Sequence, residues 1–297
     1  MKICNEDKLL AELLRLVPVP LDQPLGPGDD CAATHRPKKG QLLLLKTDCV
    51  AEGVHFLRSD DPARVGWKAL CRPLSDIAAM GGVPQQALIT FFSPPDLDAG
   101  YWKKFYRGLG KAARRFGVTI AGGEMSRQLS GIAVSITLTG IVPEKQLLQR
   151  SGGRPGDQLF ITGRLGGSIA GHHLDFVPRL AEGRWLAETF RPSAMMDISD
   201  GLGADLPRLA RASGCGFTVN LADIPCRRGS SIDQALSDGE DYELLFSLSP
   251  KKAIGISERW ADVFPKTPLT CIGSLNRSQD PPSGWPGGWD HFKEFDT

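Results

Sequence analysis

Acidic residues beside glycine or a hydroxyl recur at the ends of apolar segments: Gly28-Asp29-Asp30, Thr47-Asp48, Ser75-Asp76, Gly123-Glu124 and Asp197-Ile198-Ser199-Asp200-Gly201. Taken singly, each reads as local structure, because Asp with Gly makes turns and Ser199 or Asp200 can cap a following helix. Five such sites in one chain make a pattern. If their carboxylates converge, they cannot all stay ionised without cations, since like charges at short range and desolvation both oppose ionisation. Hard divalent cations with oxygen ligands solve that, and Mg²⁺ binds through carboxylates plus substrate phosphates. A carboxylate-rich, histidine-poor and cysteine-free set favours magnesium-supported phosphate chemistry over zinc hydrolysis. The sequence has no G-x-x-x-x-G-K-[ST], no kinase H-R-D or D-F-G, and no H-E-x-x-H. Without a phosphate-binding loop the metals must do most of the phosphate holding, and the residues alone predict a magnesium–nucleotide enzyme.

Other candidates read as structure. Gly166-Gly167-Ser168-Ile169-Ala170 lacks the second glycine of a nucleophile elbow, so core packing or a helix start is expected. His172-His173 with Asp175 invites a metal, but adjacent histidines on a helix diverge by about 100°, which predicts a solvated helix face.

The elements that must position the acids follow from periodicity. Residues 6–16 have helical apolar spacing, and Gly26-Pro27-Gly28-Asp29-Asp30 forces a turn. Leu42 to Lys46 reads as a strand ending at Thr47-Asp48. Residues 63–80 read as a helix that Pro73 should kink or end early. Trp102, Phe105, Tyr106, Leu109, Ala113 and Phe116 recur at helical spacing, with Gly117 placed to stop the helix. Val118 to Ala121 is a short strand opening into Gly122-Gly123-Glu124, and Ile132, Val134, Ile136 and Leu138 alternate as a half-exposed strand. Residues 144–157 are polar and Gly/Pro-rich, a natural boundary. The second half predicts strands at 158–162, 217–221 and 242–246, a helix opened by Asp197 to Asp200, and an extended flap from Pro281. Two α+β domains are expected, over residues 1–142 and 143–297.

The chain has 297 residues, 35 Lys+Arg against 34 Asp+Glu, and a net charge of +1. At 41% hydrophobic and 23% charged residues a packed core is expected. The balance argues against a general nucleic-acid binder or a basic membrane-surface protein. No stretch is long and apolar enough to suggest a targeting or spanning segment. Seven cysteines with no C-x-x-C pair predict free thiols in a reducing cytoplasm.

Longer blocks resemble a specific family. Gly28-Asp29-Asp30-Cys31-Ala32, the run from Thr47 to Phe56, Val65 to Leu70 with Leu74 to Gly81, Met196 to Leu202, Gly239 to Leu245 and Gly288-Trp289-Asp290-His291-Phe292 are similar, in order, to the thiamine-monophosphate kinases. The resemblance implies the aminoimidazole ribonucleotide synthase-like fold: an N-terminal α/β domain that forms the core of a homodimer, and a C-terminal α+β domain closing the cleft. It implies transfer of the ATP γ-phosphoryl group to thiamine phosphate, supported by several Mg²⁺ ions. By position, it assigns Asp30, Thr47, Asp48, Asp76, Glu124, Asp197 and Asp200 to the metals, with Asp29 beside them. Asp29, Asp30, Asp48, Asp76 and Asp200 form the implied catalytic set. Tyr106, Gly123, Glu124, Arg150 and Ser199 fall at ATP-contacting positions, and His55, Glu240 and Trp289 at those for thiamine phosphate.

The chain departs from the family's pattern at Glu124-Met125, Arg72-Pro73 and Asp238. Glu124 keeps the charge but moves its oxygens out by one methylene, and Met125 removes a hydroxyl. Two alternatives stand beside the kinase reading: another ATP-using enzyme of the same superfamily, and a non-catalytic or weakly active protein that binds thiamine phosphate or nucleotide.

Overall fold

Alternating burial builds the first sheet. In the computed structural model, which describes residues 29–35, 39–278 and 280–290, it comprises β1 (Ala32–His35), β2 (Gln41–Ala51), β3 (Val83–Ser93), β4 (Thr119–Arg127) and β5 (Ala133–Pro143). The helix expected over residues 6–16, and most of the turn before Asp29, lie outside the described residues. The order is β1-β2-β5-β3-β4, antiparallel except for the parallel β3–β4 pair. Leu42, Leu44 and Val50 of β2 and Val134, Ile136, Leu138 and Val142 of β5 are buried on one face. Two helices cover that face, α1 (Pro62–Ala79) and α2 (Ala99–Phe116). The opposite face, with Leu45, Thr47 and Leu88, is open to solvent.

Helix α1 is the hub. Asp61 caps it by accepting a 3.0 Å hydrogen bond from the Ala63 N–H, and Pro62 occupies the first turn. Pro73 does not end it early, and the helix runs on to Ala79. Leu70, Leu74 and Ile77 around the proline are wholly buried, and that packing outweighs the lost backbone hydrogen bond. Helix α2 ends as expected at Gly117, whose φ of 69° suits a left-handed cap.

The two helices cross at glycines. A Cβ on Gly66 would collide with the Phe105 carbonyl, and one on Gly108 with the Ala63 carbonyl. Gly108→Ala is expected to cost about 1–3 kcal/mol through this overpacking, read as a lower urea midpoint at unchanged slope. An unchanged midpoint would mean that the helices separate freely.

The second half forms its own antiparallel sheet, ordered β7-β9-β6-β10-β8. Its strands are β6 (Gln158–Thr162), β7 (Ala194–Asp197), β8 (Gly216–Val219), β9 (Leu244–Leu248) and β10 (Leu269–Asn276). The helices that position the site are α3 (Leu180–Thr189) and α4 (Leu202–Ala212). Strands β6 and β9 are almost wholly buried and correspondingly apolar. The molecule is therefore a two-domain α+β fold. Helix α1 also packs on α3 and β7, so one N-terminal helix lies against the C-terminal half. A Cβ on Gly183 of α3 would meet the Ala78 carbonyl of α1, which leaves only glycine at this contact.

Candidate active site

Three of the sequence-predicted acids meet where α1 touches the second sheet. Asp30 lies just before β1, Asp76 sits near the end of α1, and Asp197 closes β7. One carboxylate oxygen from each lies within 4.8 Å of the others, and all three residues are buried. Ser75 Oγ donates to Asp197 Oδ2 at 2.6 Å, tying α1 to β7. Lys46 Nζ donates to Asp76 Oδ1 at 2.7 Å, and Arg150 NH2 to Asp30 Oδ1 at 2.5 Å. Asp29 accepts from the Arg150 backbone N–H at 3.0 Å.

The electrostatics match a cation site. Burial pushes Asp197 up to about 6, helped by the charge of Asp30, and pushes Asp29 to about 6 with the same neighbour. Burial also raises Asp76 well above the carboxylate range; Lys46 opposes this, while Asp197 and Asp48 add to it. Asp30 Oδ2 is buried with no hydrogen-bond partner. An all-oxygen donor set, mutual repulsion and an orphaned acceptor fit a hard divalent ion, so Asp30, Asp76 and Asp197 would hold magnesium.

Beside the acids opens a cavity of about 480 Å³. Its walls come from both halves and include His55, Arg72, Ser199, Asp200, Glu240 and Trp289. His55 is fixed by its Nδ1, which accepts from the Ala51 N–H at 3.0 Å. Trp289 is anchored through its backbone N–H to the Asp200 carbonyl at 2.8 Å, within the extended tail expected from Pro281. Asp200 pairs with Arg208 of α4. Glu240 and Tyr242 adopt left-handed backbone conformations, φ 54° and 53°, held by hydrogen bonds from their N–H groups to Ser199 and Ile198. Non-glycine residues in that region cost about 1–3 kcal/mol and persist where surroundings over-determine them.

Behind the cavity wall lies a lysine not singled out from the sequence. Lys68 is wholly buried; it donates to the His55 carbonyl at 2.5 Å and pairs with Glu240. His173 Nδ1 sits between them, 2.7 Å from Lys68 Nζ and 3.0 Å from Glu240 Oε2. His173 is thus buried on a short 3-10 turn rather than on a solvated helix face, because Lys68 and Glu240 give it partners inside. Burial lowers Lys68 from 10.5 to about 8. Burial works to raise Glu240, but His173, Lys68 and Arg72 outweigh it and hold the acid at about 2. A signal did exist in the sequence: Arg64, Lys68, Arg72 and Asp76 recur every fourth residue, one charged stripe along a largely apolar helix.

Four other predicted positions lie apart. Thr47 is on the open sheet face, where its hydroxyl lies 3.4 Å from those of Ser135 and Thr137, while Asp48 points the other way towards Arg72. Glu124, on β4, accepts from the next backbone N–H at 3.1 Å. Gly123 packs against the Ile89 carbonyl, too close for any side chain. Tyr106 is 39% exposed, its ring near Phe91 and Phe105.

Comparison with known proteins decides the family. Residues 28–142 match the model of "AIR synthase related protein, N-terminal domain", and 147–263 that of its C-terminal domain. The chain is 35% identical to the thiamine-monophosphate kinase of Rhodopirellula baltica over 84% of this chain and 83% of that one. It is 32% identical to the Escherichia coli K12 enzyme of the same name, over 97% and 98%. The chain belongs to the thiamine-monophosphate kinase family. Its fold superposes with a TM-score of 0.80 on a structure described as AaThiL complexed with AMPPCP and TMP, at 30% identity and covering 98% of this chain and 99% of the other. For this family member the acids and the cavity together therefore form the candidate active site.

Proposed function

We propose that the chain transfers the γ-phosphoryl group of ATP to thiamine phosphate, giving thiamine diphosphate. The observation that carries this reading is the buried Asp30–Asp76–Asp197 cluster beside a cavity lined by both domains. Magnesium, held by these acids with Asp29, Asp48 and Asp200 around them, would neutralise phosphate charge. Several ions are proposed; Thr47 and Glu124, on the other sheet face or its edge, are left out of the set. Arg150 and Ser199 lie beside the acids and suit ATP, with Gly123 and Tyr106 as the family's further ATP positions. His55, Glu240 and Trp289 take the acceptor. Trp289 offers an aromatic face to a cationic thiazolium, a contact worth about 0.5–2 kcal/mol, and Glu240 supplies the opposite charge.

The acceptor needs little activation. The second pKa of a phosphate lies near 6, so its oxygen is already ionised at neutral pH and no general base is required. Positioning and charge neutralisation remain as the catalytic work, which accounts for acids, arginines and aromatics in place of a Ser-His or Asp-His pair. The test is direct: purified protein with ATP, Mg²⁺ and thiamine phosphate, followed by chromatography. Thiamine diphosphate formed only with all three supports the reading; its absence, with tight Mg²⁺-dependent ligand binding, would make this a binding protein instead.

We also propose a cytoplasmic homodimer. The thiols of Cys31, Cys71 and Cys215 are buried and unpaired, and among the described residues no helix is long and apolar enough to cross a membrane. The open sheet face presents Leu45 at 39% and Leu88 at 51% exposure beside the nearly bare strand β4. Leu88→Lys is expected to shift sedimentation velocity from dimer to monomer; a variant that sediments as the wild type would move the interface elsewhere.

A further inference from the structure

Among the described residues that line the cavity, Arg72 is the guanidinium with a buried donor that has no partner. Arg72 lies on α1, one turn after Lys68 and one before Asp76, and lines the cavity. Its NH1 donates to the Cys49 carbonyl at 2.8 Å, and its NH2 lies 3.3 Å from Asp48 Oδ1. Glu240 Oε1 is 4.0 Å from NH1. Its Nε–H is buried with no partner.

The other cations around the cavity are tied elsewhere or open to solvent. Lys68 is wholly buried behind three partners. Arg64 is tied to Asp175 at 2.5 Å and to the Gly171 carbonyl at 2.9 Å. Arg72 alone among these three stands between the acid cluster, through Asp48, and the acceptor wall, through Glu240. Burial works against its charge, but Tyr242, Asp48 and Glu240 outweigh that and keep it firmly protonated. A buried, unsatisfied donor on a fixed charge calls for an acceptor atom. A phosphate oxygen at the end of an acceptor directed towards the acids would supply one, in the planar geometry that guanidinium groups favour.

We propose that Arg72 is the phosphate anchor of the acceptor subsite, the residue that makes this site select a phosphorylated acceptor over its unphosphorylated form. The proposal rests on the reading of the cavity as the thiamine-phosphate site. Arg72 holds the attacking phosphate beside the metal ligands, and its charge opposes binding of the thiazolium cation when no phosphate accompanies it.

The test compares two ligands by calorimetry in Mg²⁺ without ATP: thiamine phosphate and thiamine. Wild-type protein should prefer thiamine phosphate. Arg72→Met should weaken thiamine phosphate by about 10- to 100-fold and leave thiamine unchanged or slightly tighter. Arg72→Lys, which keeps the charge but loses the fork, should fall between. Circular dichroism and thermal melts establish that each variant is folded, and a partly destabilised variant still reports through the ratio of the two affinities. Equal weakening of both ligands in Arg72→Met, or no weakening of either, overturns the anchor while leaving the substrate reading intact. Wild-type protein that binds neither compound overturns the substrate reading and the anchor with it.

Discussion

Asp76→Asn is expected to lower kcat/KM for thiamine phosphate by at least about 100- to 1000-fold, while the metal-free protein melts no lower than the wild type. The two halves of this expectation have one cause. Asp76 is buried against Asp30 and Asp197, with one oxygen of each acid within 4.8 Å. Without a cation, burial and the neighbouring acids disfavour its ionised form even though Lys46 pairs with it. Asparagine has the shape of the neutral acid and can still accept the 2.7 Å hydrogen bond from Lys46, so the fold loses little and sheds a like-charge repulsion. With Mg²⁺ and ATP the order reverses. A third anionic ligand is then missing, so the wild type should gain melting temperature from the ligands and the variant should gain much less. Scanning fluorimetry with and without Mg²⁺–ATP reads both halves. Near-normal turnover would remove Asp76 from the ligand set; a large loss of metal-free stability would make it a structural acid.

The acids were legible in the sequence because their positions are set by local rules. Asp30 and Asp197 sit where apolar runs stop, and Asp76 follows Ser75 on a helix whose apolar pattern is unambiguous. What brings them together is topological: β7 of the second sheet packs on α1 of the first domain, across more than 100 residues of chain. No window of sequence contains that contact. The same distance hid the partners of the buried lysine. Lys68 on α1 and His173 on a 3-10 turn are polar residues that default to solvent, and they are buried where Glu240, before β9, meets both.

Thr47 and Glu124 show the opposite limit. Strand geometry with period two sends Thr47 and Asp48 to opposite faces of β2, so a motif that is contiguous in sequence is divided by the sheet. Pro73 marks a third case, in which an intrinsic helix breaker is overruled by a helix with almost every side chain buried. Propensity was read correctly there, but it was the smaller term.

Glu240→Gln is expected to destabilise the protein by about 3 kcal/mol and to weaken thiamine-phosphate binding along with it. Lys68 is wholly buried, and among the described residues Glu240 is the one carboxylate paired with it; its other close partners are the His55 carbonyl and His173 Nδ1. Removing the carboxylate leaves a buried ammonium without counter-charge, which costs more than the pair itself contributed. Two controls separate this from simple loss of a contact. Adding Lys68→Met to Glu240→Gln should recover much of the loss, because the uncompensated charge is gone. The deficit should also shrink as pH rises. Lys68 already sits at about 8 in the folded protein against 10.5 ordinarily, and without Glu240 it falls further. Above that value the folded state has released a proton that the unfolded chain retains, so stability climbs with pH. Urea unfolding of the three proteins between pH 5.5 and 8.5 measures this, because above about 8 the wild-type lysine is deprotonated too and the deficit stops changing. A Glu240→Gln deficit that stays constant across that range, and that Lys68→Met deepens rather than relieves, would show that Glu240 serves the backbone turn at Gly239–Tyr242 and not the buried lysine.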